Sequence, residues 1–282
     1  MQFVIRFVIC LVAVLYLLYD NMVDWFSTGW SDKWQRERWT ATTICIPTVK
    51  REPFYLFQVI YSFFHLCARH PDIAQNVLRI FIFQLDSHRF YPYWNDDTSI
   101  PLRCRKKVSI HVVPSIFPSQ NMTYYHWRCK EALDYARTLE NCERLADKGT
   151  YFYLVHQDDV VFNRHFPSLF TDLCSWMSRA KWRRTCSISL YDIKQRTDGG
   201  PLLSNNAVSR LYPSQYLNSL RIFIESQYRK QPVDWLIEEY CRAAHLTTFV
   251  KVPSPTDHIG NISTFPGKVP LGRHGNRSSF GE

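Results

Sequence analysis

Short apolar runs alternate with longer segments of helical periodicity along most of the chain. The runs predict buried strands at residues 42–46, 77–83, 108–113, 151–155, 186–190 and 247–252. Apolar residues at helical spacing predict helices at residues 55–69, 124–146, 215–229 and 233–244. Strands that alternate with helices are typical of a mostly parallel sheet covered on both faces, so the pattern predicts one α/β domain.

The first residues carry a different pattern. Residues 7–18 are apolar without interruption, and Arg6 is the only charge between Gln2 and Tyr19. A membrane-spanning helix needs about 20 apolar residues, so the run is short and Arg6 must reach toward a lipid headgroup. A cleaved signal peptide is the alternative, but bulky and acidic residues follow where small ones are expected. We therefore expect an uncleaved anchor over residues 1–19, a stem over 20–40 and a folded domain over 41–282.

The charges beside the apolar run predict its orientation. Arg6 precedes the run, whereas Asp20 and Asp24 follow it, which indicates a cytosolic N-terminus and a lumenal body, as in a type II membrane protein. Three short sequons agree with this topology, because such sequons are glycosylated only in the secretory pathway: Asn121, Asn261 and Asn276.

Composition excludes two broad classes of protein. With 46% hydrophobic residues the chain can bury a sizeable core, so it is not disordered as a whole. The formal net charge is +9, but Lys and Arg are scattered among aromatic and acidic residues instead of forming a basic block. A phosphate-bearing small molecule or an anionic membrane face explains this excess, and we expect no nucleic-acid partner.

Nine cysteines are present, of which Cys10 lies in the expected anchor. None of the others shows the C-x-x-C spacing of a zinc or redox site. Disulfides are expected in an oxidising lumen, and buried free thiols are the alternative; the sequence does not determine the pairing.

Two adjacent carboxylates, Asp158 and Asp159, follow the apolar run at 151–155. Open α/β sheets bind ligands outside the carboxyl ends of their strands, and paired carboxylates there favour a divalent cation. Oxygen ligands are typical of Mn²⁺ or Mg²⁺, and a nucleotide diphosphate would complete the coordination shell. The alternative is that this pair caps the next element from a solvated loop.

Taken together, five blocks in order resemble the N-acetylglucosaminyltransferase IV family, which adds a β1,4-linked GlcNAc to the α1,3-arm mannose of N-glycans. The blocks are TICIPTVKR (43–51), YHWRCKEALDYA (125–136), YFYLVHQDDV (151–160), QPVDWLI (231–237) and DHIGNISTFPGK (257–268). The resemblance implies a GT-A fold, UDP-GlcNAc as donor, Mn²⁺ dependence, inversion at the anomeric carbon and a Golgi location.

The resemblance also implies roles for the residues around the carboxylate pair. Asp159 matches the last residue of the family's Glu-Asp-Asp triplet and would bind the metal, and Asp158 would face the sugar or ribose. Gln157 stands where the family has Glu, which removes a charge and predicts weaker or altered donor binding without necessarily abolishing activity. His258 matches a late metal or diphosphate contact, although a lone His is more often structural.

Inverting transfer requires a carboxylate that removes the acceptor's proton. Asp234, at the start of a predicted helix, is the candidate base, and Glu238 one turn later is the runner-up. The alternative for Asp234 is an ordinary acidic residue in a helix's first turn. Trp235 is a candidate for stacking on a sugar, although Trp more often packs in a core.

Four further residues are candidates for donor binding. Thr48 and Arg51 lie in the loop expected after the first strand, where the fold implied by the resemblance holds uracil and ribose. Arg128 and Lys130 match the Arg-x-Lys of the family's helix before the metal strand, and their charges would stabilise the departing diphosphate. Solvated surface charges are the alternative.

Other functions are also considered. The family continues into a second, β-rich domain that contacts glycan, and we expect this chain to lack it. Because Gln157 replaces the family's Glu and the glycan-contacting domain is expected to be absent, a membrane-tethered glycan-binding protein with impaired catalysis is an alternative. A transferase that uses UDP-GalNAc on GPI anchors shares the layout but adds a membrane hairpin, which we do not find. A phosphodiesterase would require more clustered ligands than His156 and His165 supply.

Overall fold

The computed structural model describes residues 40–49, 54–85, 93–113, 115, 123–177, 180–191 and 206–260. All of them belong to the second of two units, Met1–Trp39 and Thr40–Glu282. The expected anchor, the expected stem apart from Thr40, Arg51 and the asparagines of all three sequons lie outside the described residues. Within the described ranges, every helix is too short or too polar to cross a bilayer.

Seven of the strands form one sheet, and two form a small ribbon. The sheet strands are β1 (Thr42–Thr48), β2 (Val77–Gln84), β3 (Val108–Val112), β4 (Phe152–His156), β6 (Thr185–Ser189), β7 (Ser209–Pro213) and β8 (Thr247–Val250). The ribbon pairs β5 (Val160–Phe162) with β9 (Thr256–His258) in antiparallel fashion.

Helices connect these strands in the alternation that the sequence predicts. They are α1 (Leu56–Arg69), α2 (Pro71–Asn76), α3 (Leu102–Arg105), α4 (Tyr124–Leu145), α5 (Phe166–Met177), α6 (Ser214–Gln227) and α7 (Val233–Ala243). Two 3-10 turns, Tyr93–Asn95 and Ala180–Arg184, complete the described elements.

The large sheet has the strand order β3-β2-β1-β4-β7-β6-β8. All neighbouring pairs are parallel except those of β7, which is antiparallel to both β4 and β6. The prediction of an α/β domain with a mostly parallel sheet is therefore confirmed. The predicted strands and helices agree with the structure to within two residues at their ends, whereas α2, α3, α5, β5, β7 and β9 were not predicted.

Alternation of side chains along the strands builds the core. Cys45 of β1 and Phe81 and Phe83 of β2 share one cluster with Ala136 and Leu139 of α4, so these strands bury their odd-numbered side chains under that helix. The even-numbered isoleucines of the same strands, Ile44, Ile46, Ile80 and Ile82, are also fully buried, so the other face of the sheet is covered as well. In α1 the buried residues recur at intervals of three and four, as in a helix with one face in a core. Burial on both faces explains why the interiors of β1 and β2, residues 44–46 and 80–83, are continuously apolar.

Three disulfides cross-link this core. Cys45 of β1 pairs with Cys142 of α4, Cys67 of α1 with Cys104 of α3, and Cys186 of β6 with Cys241 of α7. Cys129 and Cys174 are free thiols. The bridged residues lie 97, 37 and 55 positions apart in sequence, so each bond removes substantial freedom from the unfolded chain.

Candidate active site

The carboxylate pair lies at the point where the sheet reverses its order of connection. Chain connections from β1 lead to β2 and β3 on one side, whereas β4 connects to strands on the other side. Such a switch point opens a crevice at the carboxyl ends of the strands. Thr48, the last residue of β1, spans it by donating from Oγ1 to Oδ2 of Asp158 at 2.6 Å.

Both carboxylates are buried, with Asp158 4% and Asp159 5% exposed. Gln157, Asp158 and Asp159 form the turn between β4 and β5, and Val160 N donates to Gln157 O at 3.3 Å to close it. Gln157 is itself held at the sheet, since its backbone N donates to Val208 O at 3.0 Å. The prediction that this pair follows a buried strand directly is confirmed.

The β5–β9 ribbon brings His258 to Asp159. His258 is the register partner of Val160, and its Nε2 lies 3.5 Å from Asp159 Oδ2. The backbone N of Ile259 also donates to Asp159 O at 2.9 Å. Two candidate ligands that are far apart in sequence thus share one site.

Gly260 lets the backbone lie directly against the Asp159 carboxylate. A Cβ atom at position 260 would be 2.1 Å from Oδ2 and 2.8 Å from Cγ of Asp159. Both distances are far below van der Waals contact, so only glycine fits without displacing the carboxylate. In the sequence this glycine is one position of the DHIG block, and its physical role is to make room for Asp159.

The donors at this site suit a divalent cation. A carboxylate oxygen and an imidazole nitrogen are both ligands of Mn²⁺, and a carboxylate alone suits Mg²⁺. Across the described ranges, no group of three or more His, Cys, Asp or Glu residues could hold a metal. An ion bound by Asp159 and His258 would therefore take its other ligands from substrate oxygens or water.

His156 is a structural residue beneath this site. Its Nε2 lies 2.6 Å from Val160 O, and because a carbonyl oxygen only accepts, Nε2 must carry the proton. Nδ1 then accepts from the Ser209 hydroxyl at 2.8 Å, and the ring stacks on Phe162 with centroids 4.2 Å apart. Complete burial lowers the pKa of His156 to about 3. Because the ring is neutral and both of its nitrogens are hydrogen-bonded, His156 supplies no second metal ligand. This argues against a phosphodiesterase.

We expect His156 to make the fold sensitive to acid. Its pKa is depressed in the folded state, so unfolding takes up a proton between about pH 6.5 and pH 3. Stability from this group is complete above pH 6.5 and falls with acidification at a rate approaching about 1.4 kcal/mol per pH unit. Urea unfolding of wild-type protein and His156→Asn at several pH values, in EDTA, measures this difference in slope. Identical slopes would contradict the assignment.

Helix α7 begins at the same edge of the sheet as the carboxylates. Because β7 runs antiparallel to β4, the following helix α6 returns to the carboxyl edge, and α7 starts there. Asp234 is in the first turn of α7 and its Oδ1 accepts from Trp235 N at 3.0 Å. Trp235 is 54% exposed, so core packing does not account for it.

Glu238 holds a buried cation. Arg210 of β7 is fully buried and donates from Nη2 to Glu238 Oε1 at 2.5 Å. The same guanidinium donates to Ser187 Oγ at 3.1 Å and to the Asn206 carbonyl. A buried guanidinium without its carboxylate is costly, so Glu238 serves to neutralise Arg210. This structural role weakens its candidacy as the base.

The two cations at the start of α4 have different surroundings. Lys130 forms an ion pair with Asp134 one turn later, and Ser115 Oγ donates to Asp134 Oδ1 at 2.8 Å. The Arg128 guanidinium carbon instead lies 5.7 Å from the ring centroid of Tyr124 and 6.0 Å from that of Tyr125. Arg128 is therefore the better candidate for an anionic ligand.

Comparisons with known proteins agree with the resemblance noted in the sequence. The chain is 22% identical over 259 residues to alpha-1,3-mannosyl-glycoprotein 4-beta-N-acetylglucosaminyltransferase A of Bos taurus. The match covers 79% of this chain and 43% of the relative, so the chain spans less than half of the relative's length. The resemblance to N-acetylglucosaminyltransferase IV is thus confirmed. No family model matches the chain.

Two solved structures match the chain at 11% sequence identity. One is a glycosyltransferase involved in glycosylation of the major capsid of PBCV-1, with a TM-score of 0.44 over 79% of this chain and 95% of that chain. The other is 4-diphosphocytidyl-2C-methyl-D-erythritol synthase from Anaerococcus prevotii, with a TM-score of 0.38 over 75% of this chain and 88% of that chain.

Proposed function

We propose that this protein is an inverting, metal-dependent glycosyltransferase of the GT-A fold. The donor would be UDP-GlcNAc and the acceptor a mannose of a glycoprotein N-glycan, joined in β1,4 linkage. The observation that carries the proposal is the convergence of Asp159 and His258 beside the Thr48–Asp158 hydrogen bond at the switch point. The similarity to a curated N-acetylglucosaminyltransferase supports the same chemistry.

Asp159 and His258 would hold Mn²⁺, which would neutralise the charge of the diphosphate leaving group. Thr48 keeps the Asp158 carboxylate oriented in the crevice, where it can accept hydrogen bonds from sugar or ribose hydroxyls. Gln157, without the charge of Glu, leaves fewer negative charges to repel a diphosphate. Arg128 supplies a positive charge at the start of α4.

Asp234 is the proposed base. In inverting transfer, the acceptor hydroxyl loses its proton as its oxygen bonds to the anomeric carbon, and the bond to the diphosphate breaks on the opposite face. A carboxylate at the start of α7 is at the correct edge of the sheet to receive that proton. The exposed ring of Trp235 next to it offers a surface on which an acceptor sugar can stack.

A lumenal location in the Golgi, behind a type II anchor, is part of the same proposal. Three disulfides support it, because such bonds persist in oxidising compartments and are rare in the cytosol. The predicted anchor and sequons would place the folded domain in the same compartment.

The proposal is tested with purified protein, a panel of UDP-sugars and N-glycan acceptors, in Mn²⁺ or EDTA. We expect GlcNAc transfer, and slower hydrolysis of UDP-GlcNAc without acceptor, only when the metal is present. Glycan binding without turnover of any donor would contradict the enzyme and favour the glycan-binding alternative that Gln157 suggests. Preference for UDP-GalNAc with GPI acceptors would contradict the proposed donor and acceptor.

A further inference from the structure

An arginine between α6 and α7 is held in place but has no counter-charge. Arg229 donates from Nε to the Tyr228 hydroxyl at 2.8 Å, and its guanidinium carbon lies 5.3 Å from the centroid of that ring. Within the described residues, no carboxylate forms an ion pair with Arg229, whereas three other arginines are paired in this way: Arg79, Arg210 and Arg221. The Nη groups of Arg229 therefore remain available for the bidentate contact that guanidinium makes with a phosphate or carboxylate.

A second guanidinium lies beside the same group of tyrosines. Helix α4 packs against α6, and the start of α4 and the end of α6 both lie at the carboxyl edge of the sheet. Arg128 stands over the Tyr125 ring, and its buried Nε has no acceptor among the described residues. Desolvation and a hydrogen bond with Cys129 raise the pKa of Tyr125, and the nearby charge of Arg229 opposes that rise. Tyr125 is thus close to two cations, a setting that favours a bound anion.

Exposed aromatic rings accompany these cations. Tyr124 is 47% exposed and Tyr125 45%, and Tyr124 stacks on Trp127 with ring centroids 6.0 Å apart. Large aromatic side chains that stay exposed often mark binding surfaces, and their faces can pack against the apolar face of a sugar ring. Exposed rings next to guanidinium groups without carboxylate partners therefore fit a sugar that carries an anionic group.

We propose that the surface formed by Tyr125, Tyr228 and Arg229 binds a phosphate or carboxylate on the acceptor glycan, with Arg229 as the specific contact. Arg229 precedes the proposed base Asp234 by five residues, so their Cα atoms are at most about 18 Å apart. That separation suits an anionic group on a sugar that neighbours the reacting one. The inference rests on the proposed function and makes the acceptor an acidic glycan.

Transfer to three acceptors tests the assignment: a neutral N-glycan, the same glycan carrying a mannose phosphate, and the same glycan carrying a terminal sialic acid. For wild-type protein we expect a KM about tenfold lower with an anionic acceptor than with the neutral one. Arg229→Gln should raise the KM for that anionic acceptor about tenfold and change the KM for the neutral acceptor less than about twofold. Lys230→Gln is the matched control, because it removes the adjacent exposed cation and should keep the preference.

The preferred acceptor identifies the anion as phosphate or carboxylate. Equal KM values for neutral and anionic acceptors in wild-type protein would overturn the inference, as would a preference that survives in Arg229→Gln. An equal loss in Lys230→Gln would assign the preference to the general positive field and overturn the specific contact.

Calorimetric titration of the three glycans without donor separates this inference from the proposed function. Binding of an acidic glycan that depends on Arg229, by a protein that transfers no sugar, would overturn the proposed function and keep the site. Absence of both binding and transfer would overturn both.

Discussion

Replacing Asp159 by Asn is expected to abolish metal-dependent transfer, with kcat/KM reduced about a thousandfold or more. Asn fits the space beside Gly260 but lacks the negative charge that holds the cation next to His258. Initial rates with UDP-GlcNAc and acceptor over a Mn²⁺ titration measure the loss. The melting temperature should change little, because the substitution keeps the side chain's shape.

A neighbouring carboxylate provides the matched control. Asp257 lies in the same ribbon, but its Oδ2 accepts from Asn163 Nδ2 at 3.2 Å. Asp257→Asn should therefore retain most activity and the same Mn²⁺ dependence. Full activity of Asp159→Asn in EDTA would show that no metal acts through this carboxylate.

Asp234→Asn is expected to lower kcat by about a hundredfold to ten-thousandfold, with little change in the KM for donor. The amide keeps the hydrogen bond to Trp235 N but cannot take the acceptor's proton. Steady-state kinetics with saturating acceptor measures the effect. Donor binding, measured separately, should remain within a few fold of wild type.

Glu238→Gln distinguishes catalysis from support of the fold. Loss of this carboxylate leaves the Arg210 guanidinium buried without its counter-charge, which destabilises a protein by about 3 kcal/mol or more. We therefore expect a lower melting temperature with near-normal kcat for the folded fraction. The reverse pattern, a stable but inactive Glu238→Gln beside an active Asp234→Asn, would transfer the role of base to Glu238.

The sequence predicted an element correctly where the burial of that element alone determines which of its residues are apolar. Strands β1, β2 and β4 bury both faces and are therefore apolar runs, so their position and the carboxylates that follow β4 could be predicted. Strand β7 was missed because Ser209 and Arg210 interrupt its apolar pattern. Their polar groups are satisfied by His156 and Glu238, partners that no local pattern reveals.

Non-local pairing limited prediction of the site. Asp159 and His258 each stood out in the sequence, but only the short β5–β9 ribbon brings them together, and ribbons of three residues carry little periodic signal. Position 260 must be glycine because the backbone after β9 lies directly against the Asp159 carboxylate, which the sequence alone does not show.

The positions of the cross-links determine where this domain can adapt. Cys142 and Cys241 lie near the ends of α4 and α7, and Cys186 lies near the start of β6, all toward the amino edge of the sheet. The disulfides there link helices to strands covalently, while the crevice lies at the opposite, carboxyl edge of the sheet. Movement on substrate binding should therefore occur at the carboxyl edge of the sheet, while the cross-linked amino edge stays fixed. Reducing agents should loosen the packing at the amino edge before they alter the crevice.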